Sequence, residues 1–124
     1  MPAMLRCEIF PVDLDATVDF YVNVLRFRPI RDERNADSPY VALERGLVRL
    51  GAAARSPVAD RAARRPPTGV ELVLEVEDVA AELARVTETG WPLDEELTAR
   101  PWGLSDFRLL DPDGYYWRVS GLAA

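Results

Sequence analysis

Two stretches of this chain repeat one order of signals. In the first, an alternating run from Leu5 to Phe10 is broken by Pro11-Val12-Asp13, and Leu14, Val18, Tyr21, Val22 and Leu25 then follow helical spacing. Three short β-type runs come next, near Arg28 to Glu33, Tyr40 to Glu44 and Leu47 to Gly51, separated by Asn35-Ala36-Asp37-Ser38-Pro39 and by Arg45-Gly46. From Val70 the order begins again. Val70 to Val76 is strongly strand-like, Asp78 can cap a helix carrying Val79, Leu83 and Val86, and Gly90 ends it. Strand-like runs recur near Leu93 to Leu97, Ser105 to Leu110 and Tyr115 to Ser120, the last two joined by Asp111-Pro112-Asp113-Gly114, a hairpin turn signal. Val12-Asp13-Leu14 matches Glu77-Asp78-Val79, and Gly46 matches Gly114, so the chain reads as a duplicated βαβββ unit.

A sheet of this size with one helix leaves a face and its edges open. Pairing two such halves covers edges and creates a concavity between them. The expected layout is a single domain over residues 1–124: a first module over 4–54, a proline- and arginine-rich linker over 55–69, and a second module over 70–122. The same edges can be met by a second chain, so pairing within one chain and exchange between two both stay open. At 124 residues and 48% hydrophobic content, the chain suffices for one packed core and not for two ordinary domains.

What the chain lacks narrows its chemistry. It contains no histidine, which removes Ser-His-Asp and Cys-His catalysis and the commonest ligand of zinc, iron and nickel. All 15 basic residues are arginines, which removes Schiff-base and lysine-nucleophile mechanisms. The one cysteine, Cys7, cannot close an intramolecular disulfide and sits where a buried strand residue belongs. A net charge of −6 opposes nucleic-acid binding, and Arg61-Ala62-Ala63-Arg64-Arg65 reads as a solvated connector. No apolar run approaches the roughly 20 residues of a membrane span, and residues 1–6 lack the pattern of a secretory signal; the expectation is a cytoplasmic protein.

Several motifs together resemble those of the glyoxalase, bleomycin-resistance and extradiol-dioxygenase superfamily, the vicinal oxygen chelate proteins. They are Pro11-Val12-Asp13-Leu14-Asp15 with Phe20-Tyr21 and Val24-Leu25, then Val76-Glu77-Asp78-Val79, then Pro101-Trp102-Gly103 with Phe107 and Asp111-Pro112-Asp113-Gly114. The resemblance covers nearly the whole chain and implies an α+β fold in which two βαβββ modules form a curved mixed sheet around a cup. It also implies positions for one metal held by side chains of the first and last strands of each half. Those positions carry Arg6, Glu71 and Arg118, with Arg49 the nearest candidate for the fourth. Guanidinium groups stay protonated and have no lone pair to donate, so no metal and no other cofactor is expected.

Alternation puts Arg6, Glu8 and Phe10 on one face of the first strand and Tyr116, Arg118 and Ser120 on one face of the last, and it predicts that Arg6 and Arg118 pair with Glu8 or Glu71. Two readings of this polar set stand side by side: ion pairs that only neutralise a polar interior, or a grip on a polar or charged small molecule. A third route, a hard metal ion on Glu8, Glu71 and Glu75, also stays open. The candidate ligand-binding set is Arg6, Glu8, Tyr40, Arg49, Glu71, Trp102, Phe107, Tyr116 and Arg118, with Tyr40, Trp102, Phe107 and Tyr116 as apolar walls. Trp91 and Trp117 are assigned to packing. By resemblance, the leading expectation is a homodimeric protein that sequesters a small organic molecule, for instance an antibiotic, without a catalytic metal. The alternatives are a metal-independent isomerase or lyase with Glu71 or Glu8 as general base, and an interaction module whose cup is filled by side chains.

Overall fold

A computed structural model describes residues 3–54 and 69–122. The expected linker lies, apart from Gly69, outside the described residues. The chain falls into two compact units, Met1–Arg64 and Arg65–Ala124.

The first unit runs β1 (Arg6–Ile9), α1 (Leu14–Asn23), β2 (Arg28–Glu33), β3 (Tyr40–Arg45) and β4 (Val48–Ala53). Its sheet has the order β1-β4-β3-β2, with β1 parallel to β4 and the other pairs antiparallel. The parallel pair needs a crossover, which α1 and the β2–β3 hairpin supply. The Asp13 carboxylate caps α1 by accepting from the Ala16 amide at 3.1 Å. Helical spacing of apolar residues continues to Leu25, but α1 ends at Asn23 because Arg26 takes a left-handed φ of 62°. Arg45 closes that end by donating to the Leu25 carbonyl at 2.8 Å.

The second unit repeats the plan with β5 (Leu72–Val76), α2 (Val79–Thr89), β6 (Glu95–Ala99), β7 (Ser105–Leu110) and β8 (Tyr116–Gly121), in the sheet order β5-β8-β7-β6. Asp78 caps α2 on the Ala81 amide at 3.0 Å. Asp111 Oδ1 accepts from the Asp113 and Tyr115 amides at 2.9 Å each, which folds the predicted turn between β7 and β8. Strand β6 starts two residues later than its apolar pattern suggests, after Pro92, which has no amide hydrogen to give to a ladder.

In each unit one sheet face is apolar and buried. Ile9, Val41, Leu43, Leu50 and Ala52 form it in the first, together with Val18, Phe20 and Tyr21 of α1; Leu74, Val76, Phe107, Leu109, Trp117 and Val119 form it in the second, with Val86 of α2. Full burial of a large apolar side chain contributes about 1.5–3 kcal/mol, so these faces dominate the stability of each unit. Alternation then turns the charged residues of the same strands to the opposite face. Cys7, expected in the core, is only half-buried; burial pushes its thiol pKa up, and the neighbouring Glu8 charge adds to the shift.

Candidate functional site

On the polar face of the first unit, Glu8 faces Gly51 of β4, and Gly51 faces Ala42 of β3. Three consecutive strands thus carry a carboxylate, a hydrogen and a methyl group. The Glu8 side chain fills the room so left. A Cβ on Gly51 would stand 2.1 Å from Glu8 Oε2 and 2.2 Å from the Tyr40 hydroxyl. Tyr40 Oη donates to Glu8 Oε1 at 3.0 Å, and Arg6 Nε lies 2.8 Å from the same oxygen. Partial burial, then the hydrogen bond to Glu8 and the charge on Glu8, raise the Tyr40 phenol above its ordinary pKa.

Beside this group opens a cavity of about 560 Å³ lined by Arg6, Glu8, Tyr40, Ala53 and the Asp37-Ser38-Pro39 turn. A second, of about 300 Å³, shares Arg6 and Tyr40 and adds Arg31, Ala42 and Arg49. Arg6 faces Arg49 across the parallel β1–β4 pair, and Arg49 faces Glu44, whose Oε2 is 3.6 Å from its guanidinium. Arg28 takes the other Glu44 oxygen. Arg6 and Arg49 are therefore adjacent cations on a face with open space in front of them, the arrangement that suits an anionic group.

In the second unit, Arg118 Nε lies 3.2 Å from Glu71 Oε1. Of the partners the sequence left open for the two arginines, Arg6 takes Glu8 and Arg118 takes Glu71, each inside its own unit. Tyr116 shares the Arg118 face, donates to Asp94 Oδ2 at 3.0 Å, and carries the Arg108 guanidinium 5.7 Å from its ring centroid. Trp102 stands 58% exposed in the turn between β6 and β7.

Two expectations are corrected. Phe107 is fully buried opposite Val119, on the apolar side with Leu109 and Trp117, so it belongs to the core and not to a wall of the polar face. Arg49 is not the counterpart of Arg118. Leu72 pairs with Trp117 as Cys7 pairs with Leu50, so the residue matching Arg118 one step along is Gly51. Residues missed from the sequence are Gly51, Ala42 and, in the second unit, Arg108, Asp106 and Arg100. The Asp111–Gly114 turn held the signal for Arg108: counting back from it places Arg108 directly across from Arg118.

The register also completes the set of positions where the resemblance implies a divalent metal: Arg6, Gly51, Glu71 and Arg118. Two guanidiniums and a hydrogen offer no lone pair, and the only carboxylate sits against an arginine. This donor set does not fit such an ion. Among the described residues, no three His, Cys, Asp or Glu side chains gather as ligands, and no helix is long and apolar enough to cross a membrane.

Residues 3–119 match the family described as Glyoxalase/Bleomycin resistance protein/Dioxygenase superfamily. A search of curated proteins gives no match. Among solved structures, a member of the same superfamily from Sphaerobacter thermophilus is 23% identical, with 98% of each chain covered and a TM-score of 0.74. TnmS3, an antibiotic binding protein from Streptomyces sp. CB03234, is 21% identical over 99% of this chain and 98% of its own, with a TM-score of 0.73. A lactoylglutathione lyase from Agrobacterium tumefaciens is 19% identical over 96% and 92%, with a TM-score of 0.71. At these identities the likeness is one of fold.

Proposed function

The chain belongs to the glyoxalase/bleomycin resistance protein/dioxygenase superfamily, and from that premise we propose that it is a binding protein without a catalytic metal, which sequesters a small organic molecule on the polar face of its first unit. The observation that carries this reading is the cavity of about 560 Å³ in which Arg6, Glu8 and Tyr40 converge beside the small residues Gly51 and Ala53. A ligand pocket needs room and a few convergent polar groups, and this face supplies both. Arg6 and Arg49 favour a ligand with an anionic group, and Glu8 Oε2, on which no donor is placed among the described residues, can accept from a ligand hydroxyl or amine. An antibiotic of that character is the kind of molecule meant, in keeping with the antibiotic-binding relative TnmS3. The protein works in this reading as a homodimer, which light scattering tests directly.

The test is a thermal-shift and calorimetric screen of anionic, neutral and cationic aromatic antibiotics on chelator-treated protein. Selective binding raises Tm because ligand stabilises the folded state. Anionic members are expected to bind, and Arg6→Met to abolish it. Binding confined to cationic members, or binding that returns only with added metal, would overturn the reading.

The alternative is a metal-independent isomerase or lyase. Glu71 suits it poorly, being held between two guanidiniums at 3.2 and 3.7 Å. The Glu8 oxygen over Gly51 is the better base. Turnover by metal-free protein that disappears in Glu8→Gln would select the enzyme instead.

A further inference from the structure

The β7–β8 register sets Arg108 directly across from Arg118 on the polar face of the second unit. Like charges facing each other across an antiparallel pair destabilise a sheet unless something compensates them. Three carboxylates are near. Arg100 engages two of these, donating to Asp106 Oδ1 through Nε at 3.1 Å and Nη2 at 2.8 Å, and to Glu95 Oε1 through a short hydrogen bond. From Arg108 Nε the same two carboxylates lie at 3.7 and 3.8 Å, and that nitrogen is buried with no hydrogen-bond partner. Arg108 and Arg118 are thus left to share Glu71. Its Oε1 is 3.2 Å from Arg118 Nε and 3.7 Å from Arg108 Nη1, and Arg118 Nε is likewise buried without a hydrogen-bond partner.

One carboxylate oxygen therefore stands between two guanidiniums and completes the hydrogen bonding of neither Nε. Glu71 is also the most solvent-exposed of the three side chains, at 39% against 21% for Arg108 and 24% for Arg118. We propose that Arg108 and Arg118 form an oxyanion-binding site in which Glu71 is an internal stand-in, displaced by the carboxylate or phosphate group of a ligand. The Arg108 guanidinium is held for this role over the Tyr116 ring. A free oxyanion has more oxygens and more orientational freedom than a tethered side chain, and it can offer each guanidinium an aligned acceptor. The site is built from residues of the second unit alone and is tested on those residues, so its failure leaves the reading of the first unit's cavity standing.

The experiment follows the arginine Nε–H resonances of 15N-labelled protein while sodium phosphate or, in a parallel arm, sodium acetate replaces chloride at constant ionic strength. Saturable shifts at Arg108 and Arg118 are expected with at least one of the two, and the arm that saturates at lower concentration names the chemistry. Glu71→Gln keeps the shape of the side chain and removes its charge, and it should lower the saturating concentration by roughly tenfold. Arg108→Gln should abolish the saturable shift at Arg118. Drifts that never saturate in wild type and in Glu71→Gln alike would overturn the proposal, as would a Glu71→Gln protein that is less stable without binding either anion more tightly. Should Arg108→Gln fail to fold, the Glu71→Gln arm alone decides.

Discussion

Tyr40 donates to Glu8 at 3.0 Å across a strand that belongs to neither residue. Strand β4 lies between β1 and β3, and the bond passes over it where β4 has a glycine. A methyl group at Gly51 would meet Glu8 Oε2 and Tyr40 Oη at little more than 2 Å. Both atoms are ends of side chains on a half-open face and can move aside, so Gly51→Ala should change stability by no more than about 1 kcal/mol. It should separate Glu8 from Tyr40 and weaken ligand binding roughly tenfold, equivalent to about 1.4 kcal/mol. Urea unfolding alongside calorimetric titration reads both; unchanged affinity would mean that the Glu8–Tyr40 pair takes no part in binding.

The same bond should appear in a pH titration. Partial burial and then the Glu8 contact raise the Tyr40 phenol, and burial first of all raises Tyr116. A group whose folded pKa exceeds its unfolded value of about 10 contributes stability that is complete below that value and is lost as pH rises through the folded one. Tyrosinate absorbance is therefore expected to show the Tyr40 and Tyr116 phenols among the late-titrating groups of the folded protein. Tyr40→Phe removes one of them, and its stability converges with that of wild type at strongly alkaline pH. A titration curve that Tyr40→Phe leaves unaltered in its late part would contradict the contact.

Much of this was legible in the sequence because it is local. Asp13 and Asp78 announce helix starts through caps three residues long, and Asp111 to Gly114 fixes a turn through bonds among five neighbours. Alternation likewise sorted Arg6, Glu8 and Arg118 onto one face of their strands. What escaped was register between strands far apart in sequence. Gly51 owes its importance to the parallel β1–β4 pairing, which no short-range signal encodes, so Arg49, two residues away on the same strand and face, stood in for it. Phe107 was misplaced for another reason: its aromatic ring suggested a ligand wall, while its alternation class, shared with Leu109, already pointed to the core.

Phe107→Ala should consequently behave as a core deletion. Its side chain is wholly buried, opposite Val119 and on the same face as Leu109, and truncation of such a ring costs about 3–5 kcal/mol. The urea midpoint should drop accordingly. Affinity for a ligand of the first unit, measured on the fraction that remains folded, should not change. Loss of affinity without loss of stability would return Phe107 to the binding surface.

The Arg100–Asp106 pair offers the sharpest contrast between a charge that binds and a charge that holds the fold. Asp106 is wholly buried, one of its oxygens receives two bonds from Arg100, and the other has no hydrogen-bond partner. Removing one partner of a buried pair leaves an uncompensated charge, whereas removing both leaves an apolar site that can repack. Arg100→Met should therefore lower the urea midpoint markedly, and Arg100→Met combined with Asp106→Leu should recover at least half of the loss. The recovery cannot be complete, because Glu95 also loses its bond to Arg100 and Arg108 loses a nearby carboxylate. If the double variant is instead the weaker of the two, Asp106 contributes to the fold through Arg108 rather than Arg100, and the division of carboxylates on which the oxyanion site rests would have to be redrawn.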